Sequence, residues 1–217
     1  MPSLPPSHPL EVRELRFLRN EEPIFGPLSF ALDPREALLV EGGNGVGKTT
    51  LLRVLAGLLN PQHGTVHLDG QLADAMSRAR QLTYLGHLPG LKADLTCIEN
   101  LRMYESLQGI REDRSLMAAL DKVGLRKHAF SAFRQLSAGQ RKRLSLAKVW
   151  RSMANVWLLD EPYANLDLQG IDLVNQLIAE HADAGGSVLL TSHGAYASPP
   201  VRTRTLSMQG HGQGASA

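Results

Sequence analysis

The spacing of apolar positions changes along the chain, and the changes divide it into elements. Residues 10–18 (LEVRELRFL) and 28–32 (LSFAL) alternate apolar with polar side chains, which predicts strands of a half-buried sheet. ALLVEG at 37–42 is apolar without alternation, the pattern of a strand covered on both faces. GKTTLLRVLAGLL at 47–59 then sets its apolar residues at helical spacing, and Asn60-Pro61 ends that helix. GTVHLDG at 64–70 predicts a strand and turn, and LTYLGH at 82–87 a further strand. From about 90 to 150 the period is helical. Thr96 and Glu99 stand at capping-box spacing before one helix, SLMAALDKVGL at 115–125 supplies a second, and Ser137 and Gln140 open a third with the same cap. VWLLDE at 156–161 returns to a buried strand. A helix over about 167–183, a buried strand at 187–193 (SVLLTSH) and an edge strand at 201–208 complete the pattern. Strands alternating with helices around a helical insert predict an α/β core with a helical subdomain.

The bulk numbers narrow this reading without redirecting it. A chain of 217 residues suits one domain with a subdomain. We expect a flexible arm over 1–9, a body over 10–208 with its helical part at about 90–150, and a Gly/Ser-rich flexible tail over 209–217. The Pro-rich arm has no apolar core of the kind a secretion signal carries. No apolar run approaches the roughly 18–20 residues that span a bilayer. The net charge of +2 is too small to argue for nucleic acid, and none is expected as a partner. A single cysteine, Cys97, excludes an internal disulfide and reads as a small core residue.

Two segments carry phosphate chemistry. Gly42, Gly43, Asn44, Gly45, Val46, Gly47, Lys48 and Thr49 complete a P-loop between a predicted strand and a predicted helix, followed by Thr50. Glycines let backbone N–H groups close on phosphate oxygens, Lys48 brings a point charge, and the Thr49 hydroxyl is a hard donor for Mg²⁺. Asp160 and Glu161 end the strand at 156–161, where α/β sheets place their ligands. One carboxylate there can hold Mg²⁺ and the next can orient the attacking water. The second segment is LSAGQ at 136–140, a helix start with small residues and free N–H groups, itself a ready anion site. One small domain thus carries two phosphate-binding helix starts.

The combination resembles the nucleotide-binding domain of ABC-type ATPases over nearly the whole chain. The resemblance implies a P-loop NTPase fold with a helical and an antiparallel β subdomain. It makes LSAGQ the signature, with Ala138 at the usual glycine, Asp167 of ANLD the end of the D-loop, and His193 the switch histidine. It also implies that two cassettes pack head to tail. Ser137, Ala138, Gly139 and Gln140 of one would then close over the ATP in the P-loop of the other. Glu161, His193 and Lys48 would act on ATP, with Mg²⁺ held by Thr49 and Asp160.

Within that family, residues 84–104 (YLGHLPGLKADLTCIENLRMY) and LSAGQRKRLSLAKVW are similar to the ATP-binding subunit of the cytochrome c maturation haem exporter. That subgroup carries histidine, here His87, where most cassettes have the Q-loop glutamine. Imidazole is a poor Mg²⁺ ligand, so His87 is expected to meet the nucleotide through water or a hydrogen bond. The resemblance implies a homodimer and an integral membrane subunit of the exporter, docked near 86–105. It further implies other cytochrome c maturation subunits, and a place on the cytoplasmic face of the bacterial inner membrane. A cassette serving another substrate would share these motifs.

Phe17, Arg19 and Phe25 are the candidates for stacking on adenine, Phe17 with a competing claim from the core. Arg141, Lys142 and Arg143 after the signature read as a solvated face, the alternative being added positive potential near the partner's phosphates.

Overall fold

A computed structural model describes residues 8–87, 90–109, 115–192 and 199–209. The expected arm, but for His8 and Pro9, and the expected tail, but for Gln209, lie outside the described residues.

The chain first builds an antiparallel sheet. Strand β1 (Leu10–Arg19) turns at Asn20 and Glu21, both at positive φ, into β2 (Glu22–Leu32). After β3 (Glu36–Glu41) and helix α1 (Lys48–Leu55), strands β4 (His63–Leu68) and β5 (Gln71–Leu72) complete the order β2-β1-β4-β5. Helix α2 (Ala75–Gln81) and β6 (Leu82–Leu85) lead to the helices α3 (Cys97–Gln108), α4 (Leu116–Lys122) and α5 (Ala138–Arg151). Then follow β7 (Val156–Leu159), α6 (Leu168–Asp183), β8 (Ser187–Thr191) and β9 (Arg202–Ser207). The second sheet is parallel, in the order β6-β7-β8-β3-β9, so β9 is the predicted edge strand.

Unbroken apolar runs are what a sheet covered on both faces requires. Successive side chains point to opposite faces, so one strand feeds two cores. Ala37 and Leu39 of β3, with Trp157 and Leu159 of β7, join Leu101, Leu120, Leu144 and Leu177 of the helices. Leu38 and Val40, with Val156 and Leu158, face the other way, toward Leu51 and Leu55 of α1 and Leu10, Val12 and Phe25 of the antiparallel sheet. A buried ion pair, Arg151 to Glu105, ties the end of α5 to α3.

Several elements differ from the sequence expectation. β2 starts at Glu22, well before 28, because the chain reverses on Asn20 and Glu21 and pairs Phe25 with Phe17. α1 stops at Leu55, short of residue 59, because the Arg78 guanidinium takes up the carbonyls of Val54 (3.0 Å) and Leu55. α2 has no buried residue and hence no apolar period to read. A reciprocal cap starts it, with the Ser77 N–H donating to Asp74 Oδ1 at 2.7 Å and the Asp74 N–H to Ser77 Oγ at 2.9 Å. The strands expected to end at 87, 161 and 193 leave their ladders at Leu85, Leu159 and Thr191.

His181 on α6 stacks on Trp157, ring centroids 3.9 Å apart, and its Nε2 lies 3.2 Å from the Asn155 carbonyl. Burial pulls its pKa from 6.5 down to about 4. Between those values the unfolded chain binds a proton that the folded chain refuses. The neutral ring's contribution is therefore complete above about pH 6.5 and is lost as the pH falls toward 4. Urea unfolding of His181→Gln is expected to lack the part of the acid-side decline in stability that the native chain shows across that window.

Candidate active site

The P-loop follows directly from β3. Gly43, Asn44 and Gly45 are exposed, while Val46, Gly47, Thr49 and Thr50 are half-buried. Gly47, at φ +97°, is the N-cap of α1, so the helix opens from a left-handed residue and its first N–H groups face the loop. Lys48 is buried and its Nζ donates to the carbonyls of Gly42 at 2.6 Å and Gly43 at 3.0 Å. Burial lowers its pKa, opposed by the charges of Glu161 and Asp160. The ammonium thus lies in the loop that a triphosphate would fill.

Asp160 is the centre of the site. It is 1% exposed, just past the end of β7. Its Oδ1 accepts from the hydroxyls of Thr49 at 3.1 Å and Thr191 at 2.9 Å, and its Oδ2 from the Tyr84 hydroxyl at 3.4 Å. His87, 52% exposed, puts Nε2 3.7 Å from the same Oδ2. These partners come from α1, β8 and the end of β6, so the carboxyl ends of three adjacent strands and the P-loop helix converge on one carboxylate. The Thr49 hydroxyl and the Asp160 carboxylate form an all-oxygen donor pair, hard enough to suit Mg²⁺, whereas the His87 nitrogen does not.

Glu161 follows at φ +48°. Its N–H donates to Thr191 Oγ1 at 2.9 Å, so the hydroxyl that braces Asp160 also fixes the next residue. Its carbonyl accepts from Ala164 N–H at 3.2 Å and from Lys142 Nζ at 2.8 Å. Asp167 caps α6, accepting from Gly170 N–H at 2.8 Å and from Arg143 Nη2 at 3.2 Å. First that backbone bond and then the guanidinium hold its carboxyl below the usual carboxylate range.

The signature helix start has the predicted cap. Gln140 N–H donates to Ser137 Oγ at 3.2 Å, and Ser137 N–H donates back to Gln140 Oε1 at 2.9 Å. Gln140 Nε2 also lies 3.1 Å from His128 Nε2. Ser137 and Ala138 are exposed and Gly139 is half-buried beside the Asn165 carbonyl. These bonds stay within the helix start and its neighbour His128.

Residues 25–164 match the family model for ABC transporters. The chain is 58% identical over 200 residues to the cytochrome c biogenesis ATP-binding export protein CcmA of Xanthomonas oryzae pv. oryzae (strain MAFF 311018), covering 92% of this chain and 94% of that protein. It is 50% identical over 212 residues to the protein of the same name from Xylella fastidiosa (strain Temecula1), covering 96% and 99%. The chain belongs to the CcmA family of ABC transporter ATP-binding proteins. A solved ATP-binding subunit of an ABC transporter superimposes with a TM-score of 0.78 at 26% identity, over 85% of this chain and 79% of that one. The two sheets and the helical layer are the ABC nucleotide-binding domain expected from the motifs, and the chain is an ABC transporter ATPase.

Three sequence readings need correction or fall outside the structure. Phe17 and Phe25 are buried and stacked on each other at 6.1 Å, so neither offers a face to adenine, and exposed Arg19 is left of the three candidates. The cations after the signature are no solvated face. Arg141 is exposed, but Lys142 turns inward to Glu161 and Arg143 is half-buried against the exposed Asp167 carboxylate. His193 lies outside the described residues. Thr191 and Tyr84 are site residues that no motif marks, and their only sequence signal is a place near the carboxyl end of the predicted strands at 187–193 and 82–87. Cys97 is buried in the helical core, as expected.

The P-loop glycines are not equivalent. A Cβ on Gly47 would stand 2.9 Å from Ile24 Cγ2 and 3.2 Å from Phe25 Cδ1 at φ +97°, whereas one on Gly45 would meet nothing within 4 Å at φ +81°. Gly45→Ala is expected to cost about 1–2 kcal/mol of backbone strain. Gly47→Ala should cost more and weaken nucleotide binding as well, as read by urea unfolding and nucleotide titration of the two variants.

Proposed function

We propose that the chain works as a homodimer of cassettes whose ATP hydrolysis powers haem export, or release of a haem-loaded chaperone, in cytochrome c biogenesis. The observation that carries the dimer is the pair of anion-binding helix starts in one chain. Among the described residues, the bonds of the second, capped by Ser137 and Gln140, run within the helix start and to His128, and none reaches the first. A two-fold arrangement lets each chain lend its lid and receive one. Ser137 and the N–H groups of Ala138 and Gly139 then meet the partner's γ-phosphate, favoured by the helix dipole.

In each site the P-loop amides and Lys48 bind and orient the phosphates. Thr49 and Asp160 are the residues that would hold Mg²⁺, which supplies charge neutralisation on the phosphate oxygens when bound. Glu161 takes the position of the base, accepting a proton from the attacking water. Its aim is fixed by the Thr191 hydroxyl on its N–H and by Lys142 on its carbonyl. His193, by the family motif, holds the γ-phosphate. Loss of that phosphate removes the bridge between P-loop and signature, and the cassettes part.

No helix among the described residues is long and apolar enough to cross a membrane. The power stroke therefore passes to an integral membrane subunit, at the cytoplasmic face of the inner membrane. A groove between α2, α3 and the end of α5 suits such a partner. Exposed Met76, Leu107 and Met153 rim it, with Tyr104 and Leu82 on its floor. It adjoins the expected docking segment at 86–105. The cytochrome c biogenesis export proteins to which the chain is similar support the cargo assignment.

Glu161→Gln is expected to bind ATP, to run as a dimer in size-exclusion chromatography with ATP, and to lose turnover on the order of 10²–10⁴-fold. Native turnover in that variant refutes the assignment of the base. Substituting Ser137 or Gly139 should abolish turnover, and mixing such a chain with Glu161→Gln should restore one working site per mixed dimer. A monomer that hydrolyses ATP at the native rate overturns the paired lid. Recovery of the chain with a cytochrome c maturation membrane subunit tests the cargo, and recovery with a different transporter's subunit rejects it.

A further inference from the structure

Helix α5 begins with the lid and, one turn later, carries three cations in a row whose side chains go to three different places. Arg141 donates to the Arg134 carbonyl at 2.7 Å, on the outside of the helical layer. Arg143 reaches the Asp167 carboxylate at 3.2 Å. Lys142 turns toward the catalytic end of the parallel sheet, and its Nζ donates to the Glu161 carbonyl oxygen at 2.8 Å. The charges that bear on it there are Asp160 and Glu161. Burial outweighs both and brings its pKa down to about 8, so the fold spends stability to keep an ammonium at this place.

The carbonyl that Lys142 holds belongs to a residue in the left-handed region, at φ +48°. A side-chain-bearing residue stays there only where its surroundings over-determine it. Glu161 is held at both of its peptide groups. Thr191 takes its N–H, and Ala164 reaches its carbonyl from within the same loop. Lys142 reaches that carbonyl from a separate element, the helix that begins with the lid.

We propose that Lys142 is a positioning residue: it ties the lid helix to the backbone of Glu161, so that the seating of Ser137–Gly139 on a partner's nucleotide sets the aim of the base in the chain's own site. This rests on the reading of Glu161 as the base of a paired cassette. The two sites of a dimer are then coupled through each α5, because one end of the helix touches the partner's ATP and its second turn holds the loop that acts on the chain's own ATP.

The test compares K142M and K142R in the full chain. K142M keeps an unbranched apolar stem, one atom shorter, and removes a desolvated charge, and the Glu161 carbonyl keeps its Ala164 N–H. Its melting temperature is therefore expected to stay within a few degrees of native. KM for ATP is expected within about twofold of native and kcat lower by roughly tenfold or more, the size of effect that small misplacements of a reacting group produce. K142R, which keeps a charged donor, is expected to recover most of the rate. A K142M kcat within twofold of native, or a loss carried by KM, overturns the proposal. K142Q, of the same length as K142M, uncharged and polar, supplies the comparison if K142M does not fold.

Mixed dimers of differently tagged chains then separate positioning in the chain's own site from damage to the lid. With K142M and E161Q on one chain and a native partner, one intact base and its own Lys142 remain, and about half the native rate is expected. With K142M on one chain and E161Q on the other, turnover is expected to be at least tenfold lower. The reverse order, or equal rates, overturns the proposal. Native turnover in the E161Q homodimer would instead bring down the assignment of the base. An inactive E161Q homodimer beside a fully active K142M would bring down the role of Lys142 alone.

Discussion

The site depends on keeping one carboxylate charged where water does not reach. Asp160 is almost wholly buried, and a bare anion there would cost several kcal/mol. Three hydroxyls, from Thr49, Thr191 and Tyr84, replace the lost water. Each comes from a different element, so satisfying the charge fixes those elements against one another. The parallel sheet is the means. Its strands run the same way and deliver their last residues to one edge, and the P-loop helix closes the remaining side.

From that hub order spreads outward through shared donors. The Thr191 hydroxyl donates to Asp160 and accepts from the N–H of Glu161, so one hydroxyl sets both the carboxylate proposed to hold Mg²⁺ and the residue proposed as the base. Lys142 and Arg143 extend the same ordering into α5, and Arg143 also meets the cap of α6 at Asp167. The antiparallel sheet contributes from beneath, where Ile24 and Phe25 of β2 lie against Gly47 and leave room for nothing larger.

Much of this was legible in the chain because it rests on local rules. The run from Ala37 to Val40 showed a strand buried on both faces, and its side chains do divide between two cores. Ser137 and Gln140 showed their reciprocal cap by spacing alone, and the P-loop glycines marked the loop that leads into α1 at Gly47. What could not be read had its cause elsewhere in the fold. Helix α2 buries nothing and so left no period. The early start of β2 depends on an Asn20-Glu21 reversal that lacks the usual glycine. The aim of Lys142 is decided by a carbonyl nineteen positions later, and a row of three cations gives no sign of which one turns inward.

The short α1 has a mechanical meaning. Its last carbonyls are received by Arg78 of α2, while its first turn carries Lys48 and Thr49. The helix is thereby fastened at both ends, to the phosphate loop at one and to the wall of the groove that holds Met76 at the other. One guanidinium thus makes the end of α1 and the groove wall neighbours, about two helical turns from the lysine that opens the same helix.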